Sequence, residues 1–223
     1  MHTIYLVRHG RSEANQKGLL AGRAPKVKLD EVGLAQAKAL GEAFSNTPID
    51  LLFSSPLERC LNTAEAIKKA QKKNVNIKKN ADFIECDYGT WTNKRLASLS
   101  KLSLWRTIQL HPSQVTFPAG ESLLNMSNRA VNGLNLILSS VKKKNNKIVI
   151  VSHADLIKAI LANALGMHLD NFQKIIIDPA SVSTLQFNGN SYVTAGINEK
   201  SHLKNIESKS VAPSGAVLGG GAG

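Results

Sequence analysis

A short apolar run near the start of the sequence ends in an arginine, a histidine and a glycine, in the stretch Ile4-Tyr5-Leu6-Val7-Arg8-His9-Gly10. The run is rich in strand-forming residues, and its length is typical of a buried strand. Ligands of open α/β sheets bind at the carboxyl ends of the strands. We therefore expect Arg8 and His9 to lie at a ligand site, where the arginine recognises an anion and the histidine serves as nucleophile or base.

The chain has 223 residues, of which 43% are apolar and 20% charged, as in ordinary globular proteins. No apolar run reaches the length of about 18 residues that a membrane helix needs, and no signal-peptide pattern is present. Cys60 and Cys86 are too few for a disulfide framework, so we expect two reduced thiols. These features predict a cytoplasmic protein that does not bind membranes, and they leave a homodimer open as its assembly.

The net charge of +12 comes largely from two lysine-rich runs, Lys68 to Lys79 and Lys142 to Lys147. Such an excess steers anionic substrates or gives non-specific contact with nucleic acid. No aromatic residue interrupts these runs, so a dedicated single-strand binding surface is not indicated. We therefore predict no dedicated nucleic-acid partner.

Segments with the pattern of strands alternate with segments of helical spacing. The strand candidates are residues 2–7, 49–53, 75–79, 147–151, 181–187 and 191–195. Helical spacing recurs from Leu34 to Phe44, from Leu57 to Ile67, from Leu123 to Val141 and from Leu156 to Leu165. Such alternation is typical of βαβ units. We predict an α/β fold, a three-layer α/β/α sandwich with a mainly parallel central sheet.

The sequence predicts one domain over residues 1–198. Within it, residues 86–120 lack a clean period and contain two prolines, so we expect an insertion that covers the site as a lid. Residues 199–223 are rich in Ser, Lys and Gly and are expected to form a disordered tail.

Four pieces of sequence place groups suited to a phosphoryl anion at strand ends or helix starts. They are Arg8-His9 followed by Asn15, Ser54-Ser55-Pro56-Leu57-Glu58-Arg59, Glu85, and Val151-Ser152-His153. A transferring phosphoryl group spreads its charge over three oxygens. Two guanidiniums, a second imidazole and a helix N-terminus meet that charge without a metal.

His9 is the candidate nucleophile, because a neutral imidazole attacks phosphorus and the nearby Arg8 and Arg59 disfavour its protonated form. Its other ring nitrogen needs an acceptor that fixes the tautomer. Glu85 is the candidate acid that protonates the leaving oxygen.

Structural interpretations of the same residues stay open at this point. Asp82 and Asp87 are alternative acids to Glu85. Asn15 could cap a helix instead of contacting phosphate. Trp91 could pack in the core or in the lid instead of lining the substrate pocket.

These motifs resemble those of the histidine phosphatase superfamily, also called the phosphoglycerate mutase-like family. The similar stretches are Leu6-Val7-Arg8-His9-Gly10, Ala21-Gly22-Arg23 with Leu29-Asp30-Glu31-Val32-Gly33-Leu34-Ala35-Gln36-Ala37, Ser54-Ser55-Pro56-Leu57-Glu58-Arg59 with Thr63-Ala64, and Val149-Ile150-Val151-Ser152-His153. They follow the family's order from residue 4 to about residue 165. Four elements in order make the resemblance specific.

The resemblance implies a role for each site residue. His9 would be phosphorylated transiently, and Glu85 would be the proton donor. The phosphate pocket and its entrance would be formed by a set of residues: Arg8, Asn15, Arg23, Arg59 and His153. Members of the family are mostly metal-independent, so no metal and no other cofactor is expected.

Two departures from the family pattern bear on function. Ala154-Asp155 follow the second histidine, where many members have glycines, and Trp91-Thr92-Asn93 stand where many members read Trp-Glu-Gly. The substrate-binding residues of the glycolytic mutases are not recognisable. We therefore expect a phosphoric monoester hydrolase that acts on a small-molecule phosphomonoester. The alternatives are a phosphomutase, which returns the phosphoryl group to another hydroxyl, and a catalytically silent phosphate-binding module.

Overall fold

The structure of the protein is a computed structural model that describes residues 1–207, except the side chains of residues 205 and 207. A six-stranded sheet lies at its centre. The strands are β1 (His2–Arg8), β2 (Leu51–Ser54), β3 (Ile77–Lys79), β4 (Lys147–Ser152), β5 (Val182–Phe187) and β6 (Tyr192–Glu199). Their order is β3-β2-β4-β1-β5-β6, in which the first four strands are parallel and the last two antiparallel to their neighbours. The predicted α/β fold with a mainly parallel sheet is confirmed.

The described residues also form eight α-helices. They are α1 (Glu13–Gln16), α2 (Glu31–Phe44), α3 (Glu58–Lys69), α4 (Leu96–Leu99), α5 (Ser103–Leu110), α6 (Leu123–Ser140), α7 (Ala154–Ala164) and α8 (Lys204–Glu207). The longer ones carry the helical spacing that the sequence shows between the strands. Among the helices in these residues, none is long and apolar enough to cross a membrane.

Strand β4 shows how the sheet separates two apolar cores. Successive side chains of a strand point to opposite faces. Ile148 and Ile150 pack into the core that includes α6 and α7, whereas Val149 and Val151 pack into the core that includes α2 and α3. All four are fully buried. A strand that is apolar on both faces needs a helical layer on each side, which gives the three layers.

Residues 86–120 form α4, α5 and short 3₁₀ turns rather than a loose flap. They contribute seven buried side chains to the core on the α6 and α7 side: Cys86, Tyr88, Trp91, Leu99, Ile108, Val115 and Phe117. The Trp91 ring stacks on that of Trp105 with 6.5 Å between centroids. The segment is therefore tied into the core, and its role as a lid stays a prediction.

The prediction of a disordered tail from residue 199 is wrong for its first part. Strand β6 extends to Glu199, and residues 201–207 form a 3₁₀ turn and α8. This turn packs against α2, and Leu203 within it is fully buried. Leu203 is one apolar residue in a polar stretch. Neither a hydrophobic period nor the composition of the segment could therefore indicate that it is buried. The rest of the predicted tail, residues 208–223, lies outside the described residues.

Candidate active site

The two histidines meet because the strands that precede them are parallel neighbours. Arg8 at the end of β1 pairs in register with Ser152 at the end of β4. His9 and His153 follow directly, and their ring centroids lie 5.2 Å apart. The carboxyl ends of parallel strands share one edge of the sheet, where ligands of such folds bind.

The imidazole of His9 is held in one tautomer. Its Nδ1 lies 2.7 Å from the carbonyl oxygen of Gly10, which only accepts, so Nδ1 carries the proton and donates. The lone pair is therefore on Nε2, which accepts from Nε of Arg59 at 3.2 Å. Burial, and then the charges of Arg59 and Arg8, hold the pKa of His9 well below its usual range. His9 is thus neutral at pH 7, with a nucleophilic nitrogen at the site.

His153 is buried next to His9 and Arg59, and its ring is also neutral. Its Nδ1 accepts from Nη2 of Arg59 at 3.2 Å, and its Nε2 donates to Oγ of Ser55 at 2.9 Å. Burial is the main reason that the pKa of His153 lies well below its usual value, and the charge of Arg59 lowers it further. The sequence did not point to Ser55 as the partner that orients this ring.

Arg59 makes hydrogen bonds to several groups of the site. Besides both histidines, it binds the carbonyl oxygen of Gly22 at 2.9 Å. Its Nη1 is buried and has no hydrogen-bond acceptor among the described residues, so a donor is ready for a ligand oxygen. Arg59 lies at the start of α3, where the positive end of the helix dipole also favours an anion.

Arg8 lies deeper, at the end of β1, and is fully buried. Its Nη1 donates to the carbonyl oxygen of Ile177 at 2.7 Å. Burial lowers its pKa to about 10, against the opposing charges of Asp178, Glu85 and Asp155. It is therefore a cation at pH 7 and adds positive potential beneath the pocket.

Glu85 is a buried carboxyl beside these cations. Its Oε1 accepts from the backbone N–H of Cys86 at 2.9 Å, and its Oε2 lies 3.6 Å from Nδ1 of His153. Burial, followed by the charge of Asp155, raises the pKa of Glu85 to about 7. This value suits a group that gives and takes a proton near neutral pH.

The alternative acids lie elsewhere. Asp87 accepts from the backbone of Gly89 at 3.0 Å and faces Arg23 at 3.6 Å. Asp82 packs against Gly133 of α6. Neither lines the pocket, whereas Glu85 does.

Arg23 holds the backbone of Glu85 rather than lining the pocket. Its Nε donates to the carbonyl oxygen of Glu85 at 2.8 Å, and Nη2 of Arg129 donates to the same oxygen at 3.2 Å. Both arginines also bind Oε1 of Glu121, at 2.9 and 2.6 Å. No sequence pattern pointed to Glu121 or Arg129, and the expected place of Arg23 at the entrance stays a prediction.

Asn15 caps a helix and also lies at the pocket. Its Oδ1 accepts from the backbone N–H and the hydroxyl of Ser12, at 3.1 and 2.8 Å, which forms a capping box at α1. Asn15 also lines the pocket. Its phosphate contact stays a prediction.

The pocket is small and is lined by polar residues and by apolar ones. The polar side holds His9, Ser12, Asn15, Arg59 and Glu85. The other side is a wall formed by Leu19, Leu20, Ala21, Gly22, Tyr88 and Leu96. The polar side offers the unused Nη1 donor of Arg59 to an anion, and the wall is apolar apart from the Tyr88 hydroxyl.

Two chain segments are hydrogen-bonded together to form this wall. Leu20 N–H donates to the carbonyl oxygen of Lys94 at 2.9 Å, and Asn93 N–H donates back to that of Leu20 at 2.7 Å. Leu96 N–H donates to the carbonyl oxygen of Gly18, also at 2.9 Å. We call residues 18–22 with residues 93–96 the paired wall.

Two glycines fix the loop after His9. A Cβ on Gly10 would lie 2.6 Å from the carbonyl oxygen of Gly33, and a Cβ on Gly33 would lie 1.9 Å from that of Arg11. The loop is also tied to α2, because Arg11 N–H donates to Gln36 and its Nε binds Asp30 at 2.6 Å. The start of α2 therefore holds the backbone that follows His9.

Replacing Gly33 by alanine should push this loop out of place. We expect the free energy of unfolding to fall by about 1–3 kcal/mol and the activity to drop with it. Thermal melting and phosphate release measure the two effects. Gly196→Ala in β6 is the matched control, because no described atom lies within 4 Å of its added Cβ. Equal stability of the two variants would contradict the role of Gly33.

The profile of the histidine phosphatase superfamily, branch 1, matches residues 4–200. The chain belongs to this superfamily. It is similar to phosphoserine phosphatase 1 of Hydrogenobacter thermophilus, with 33% identity over 207 residues that cover 91% of this chain and 95% of the relative. The resemblance that the sequence motifs indicated is thereby confirmed.

Solved structures of the superfamily have the same fold. YhfR of Bacillus stearothermophilus superposes with a TM-score of 0.84 at 21% identity, over 92% of this chain and all of that one. Phosphoserine phosphatase of Entamoeba histolytica in complex with 3-phosphoglyceric acid superposes with a TM-score of 0.76 at 26% identity, over 91% and 100%. The superfamily fold therefore spans nearly all of the described chain.

Proposed function

We propose that the protein is a phosphatase that hydrolyses a small-molecule phosphomonoester through a phosphohistidine on His9. One observation carries this proposal. The lone pair of His9 Nε2 and the carboxyl of Glu85, whose pKa is about 7, border the same pocket as the unused donor of Arg59. A nucleophile, an acid and an anion-binding group thus meet where a phosphoryl group fits.

In the first step, the Nε2 lone pair of His9 forms a bond to phosphorus, and the bond from phosphorus to the ester oxygen breaks. Glu85 gives its proton to the leaving oxygen, so the product is a neutral alcohol. Arg59 binds the phosphoryl oxygens, and Arg8 beneath the pocket helps to offset the charge that they carry.

In the second step, the Glu85 carboxylate takes a proton from a water molecule as the water oxygen attacks phosphorus. The bond from phosphorus to Nε2 breaks, and the lone pair returns to His9. Inorganic phosphate leaves, and Glu85 is protonated again for the next turnover. Atoms and charge balance without any further reactant.

Phosphoserine is the first substrate to test, because the relatives in Hydrogenobacter thermophilus and Entamoeba histolytica are phosphoserine phosphatases. The apolar lining supports a small substrate, since leucine and alanine side chains of the paired wall and the Tyr88 ring border the pocket. No residue beyond the phosphate-binding side is assigned to the serine portion.

The proposal predicts release of inorganic phosphate from one or more small phosphomonoesters, with chelator present throughout. Phosphate is measured by colorimetry over a panel that includes O-phospho-L-serine and 3-phosphoglycerate. An isomerised phosphomonoester with little free phosphate would identify a mutase instead. No turnover, together with binding of phosphate, would identify a silent module.

A further inference from the structure

Helix α7 carries a buried pair of opposite charges. Oδ1 of Asp155 and Nζ of Lys158 lie 3.7 Å apart, and the two side chains are 0% and 1% exposed. All residues of α7 from Ala154 to Ala162 are buried, so the pair has no route to solvent along its own helix. The superfamily role derived above does not use either residue.

Stability alone does not account for such a pair. Removing two charges from water costs about as much as their attraction returns, and apolar residues of the same volume are often at least as stable. The contacts of the pair point toward the active site instead. Oδ2 of Asp155 accepts from the hydroxyl of Tyr88 at 2.8 Å, and Tyr88 lines the pocket. Nζ of Lys158 donates to Gln173 at 3.0 Å.

Asp155 also lies within electrostatic reach of Glu85. The charged and ionisable groups around Glu85 come from each element packed on it. Arg8 of β1, Arg59 of α3, and His153, Asp155 and Lys158 of α7 act on its carboxyl. Arg23 and Arg129 of α6 bind its carbonyl oxygen, and Cys86 and Tyr88 belong to its own segment. Arg8 and Arg59 favour the carboxylate form of Glu85. His153 is neutral, so Asp155 is the anion that opposes the two arginines.

We propose that Asp155 and Lys158 are positioning residues for the acid step. Asp155 offsets the two guanidiniums beside Glu85 and fixes the Tyr88 ring in the pocket wall, while Lys158 supplies the counter-charge that lets Asp155 stay in the core. This inference rests on the proposed role of Glu85 as the acid.

The expected consequence is that the charge of Asp155 sets the upper end of the pH range in which Glu85 can act as an acid. Glu85 acts as an acid only while it holds its proton. With the charge of Asp155 removed, Arg8 and Arg59 would draw the proton off at lower pH. The basic limb of the profile of kcat/KM against pH would then move toward acid.

Asp155→Asn tests this directly. The amide has the shape of the carboxyl, and its oxygen still accepts from Tyr88, so the ring keeps its support while the charge is lost. We expect the basic limb of kcat/KM to move down by about one pH unit. A merely structural role would lower the rate at every pH and leave the limb in place. Asp50→Asn, which removes a charge at the opposite edge of the sheet, should not move the limb.

A double variant covers the risk that Asp155→Asn leaves Lys158 unpaired and fails to fold. Asp155→Asn combined with Lys158→Met removes both buried charges. The basic limb of kcat/KM for the double variant should also move to lower pH, but by less than for the single variant. Loss of the Lys158 cation raises the pKa of Glu85 and so partly cancels the effect of losing the Asp155 anion. Circular dichroism and thermal melting establish that each variant is folded.

The outcomes separate this inference from the function on which it rests. A basic limb that persists in Glu85→Gln would show that Glu85 is not the titrating acid, and the proposed mechanism would fall. A limb that disappears in Glu85→Gln but is unmoved in both Asp155 variants would overturn only the positioning role of Asp155 and Lys158.

Discussion

Replacing His9 by alanine is expected to lower kcat for phosphate release by roughly 10³-fold or more. The change removes the only nitrogen that can form the covalent intermediate in the proposed mechanism, while Arg8 and Arg59 remain to bind the phosphoryl group. Wild-type protein quenched during turnover of a phosphoryl-labelled substrate should carry acid-labile, base-stable label on the peptide that contains His9. The His9→Ala variant should carry none.

The matched control is His168→Ala, which changes an exposed histidine that borders no part of the pocket. It should retain wild-type turnover and labelling. Wild-type turnover by the His9→Ala variant, with the fold intact, would rule out covalent catalysis at this residue.

Replacing Glu85 by glutamine should slow the first step far more for alkyl phosphates than for aryl phosphates. A poor alkoxide leaving group needs the proton, and loss of the acid should cost about 10²–10⁴-fold. A nitrophenolate leaves without a proton, so its burst of release should stay within about tenfold of wild type. Stopped-flow measurement of the burst isolates this step from the later attack of water, in which Glu85 serves as base.

Glu65→Gln is the control, because Glu65 lies in the groove between α2 and α3, away from the pocket. It should leave both rates unchanged. Equal losses for alkyl and aryl phosphates in Glu85→Gln would show that Glu85 acts on something other than the leaving oxygen.

The pH dependence of the wild-type enzyme follows from the direction of the Glu85 shift. The protonated carboxyl is the active form for alcohol departure, and its pKa is raised to about 7. The first step should therefore be fastest below that value and slow as pH rises through it. His9 adds no limb near neutral pH, because its pKa is held well below its usual range.

The polar side of the site could be predicted from the sequence, because its residues lie just after the carboxyl ends of strands. His9 and His153 each follow an apolar run, and parallel neighbouring strands bring such residues to one edge. Arg59 could be placed there because it opens the helix after β2. The neutral state of His9 was also expected, although burial outweighs the two arginines as its cause.

The residues that the sequence did not reveal act over long separations. Arg129 reaches the carbonyl oxygen of Glu85 across 44 positions, and Tyr88 reaches Asp155 across 67. Such contacts leave no periodic pattern, since they depend on how α6 and α7 pack on the sheet. In the same way, Nε of Arg23 reaches the Glu85 carbonyl oxygen across 62 positions.

The paired wall gives the enzyme a part that can be exchanged. Residues 18–22 and 93–96 hold each other through their main chains, whereas the phosphate-binding groups are set by the sheet and α3. Side chains of the wall can therefore change without moving the nucleophile. A library of variants at Leu19, Leu20 and Leu96 would therefore test new preferences for the alcohol part of the substrate while the phosphate-binding residues stay unchanged. Relatives can diverge in substrate preference by the same kind of substitution.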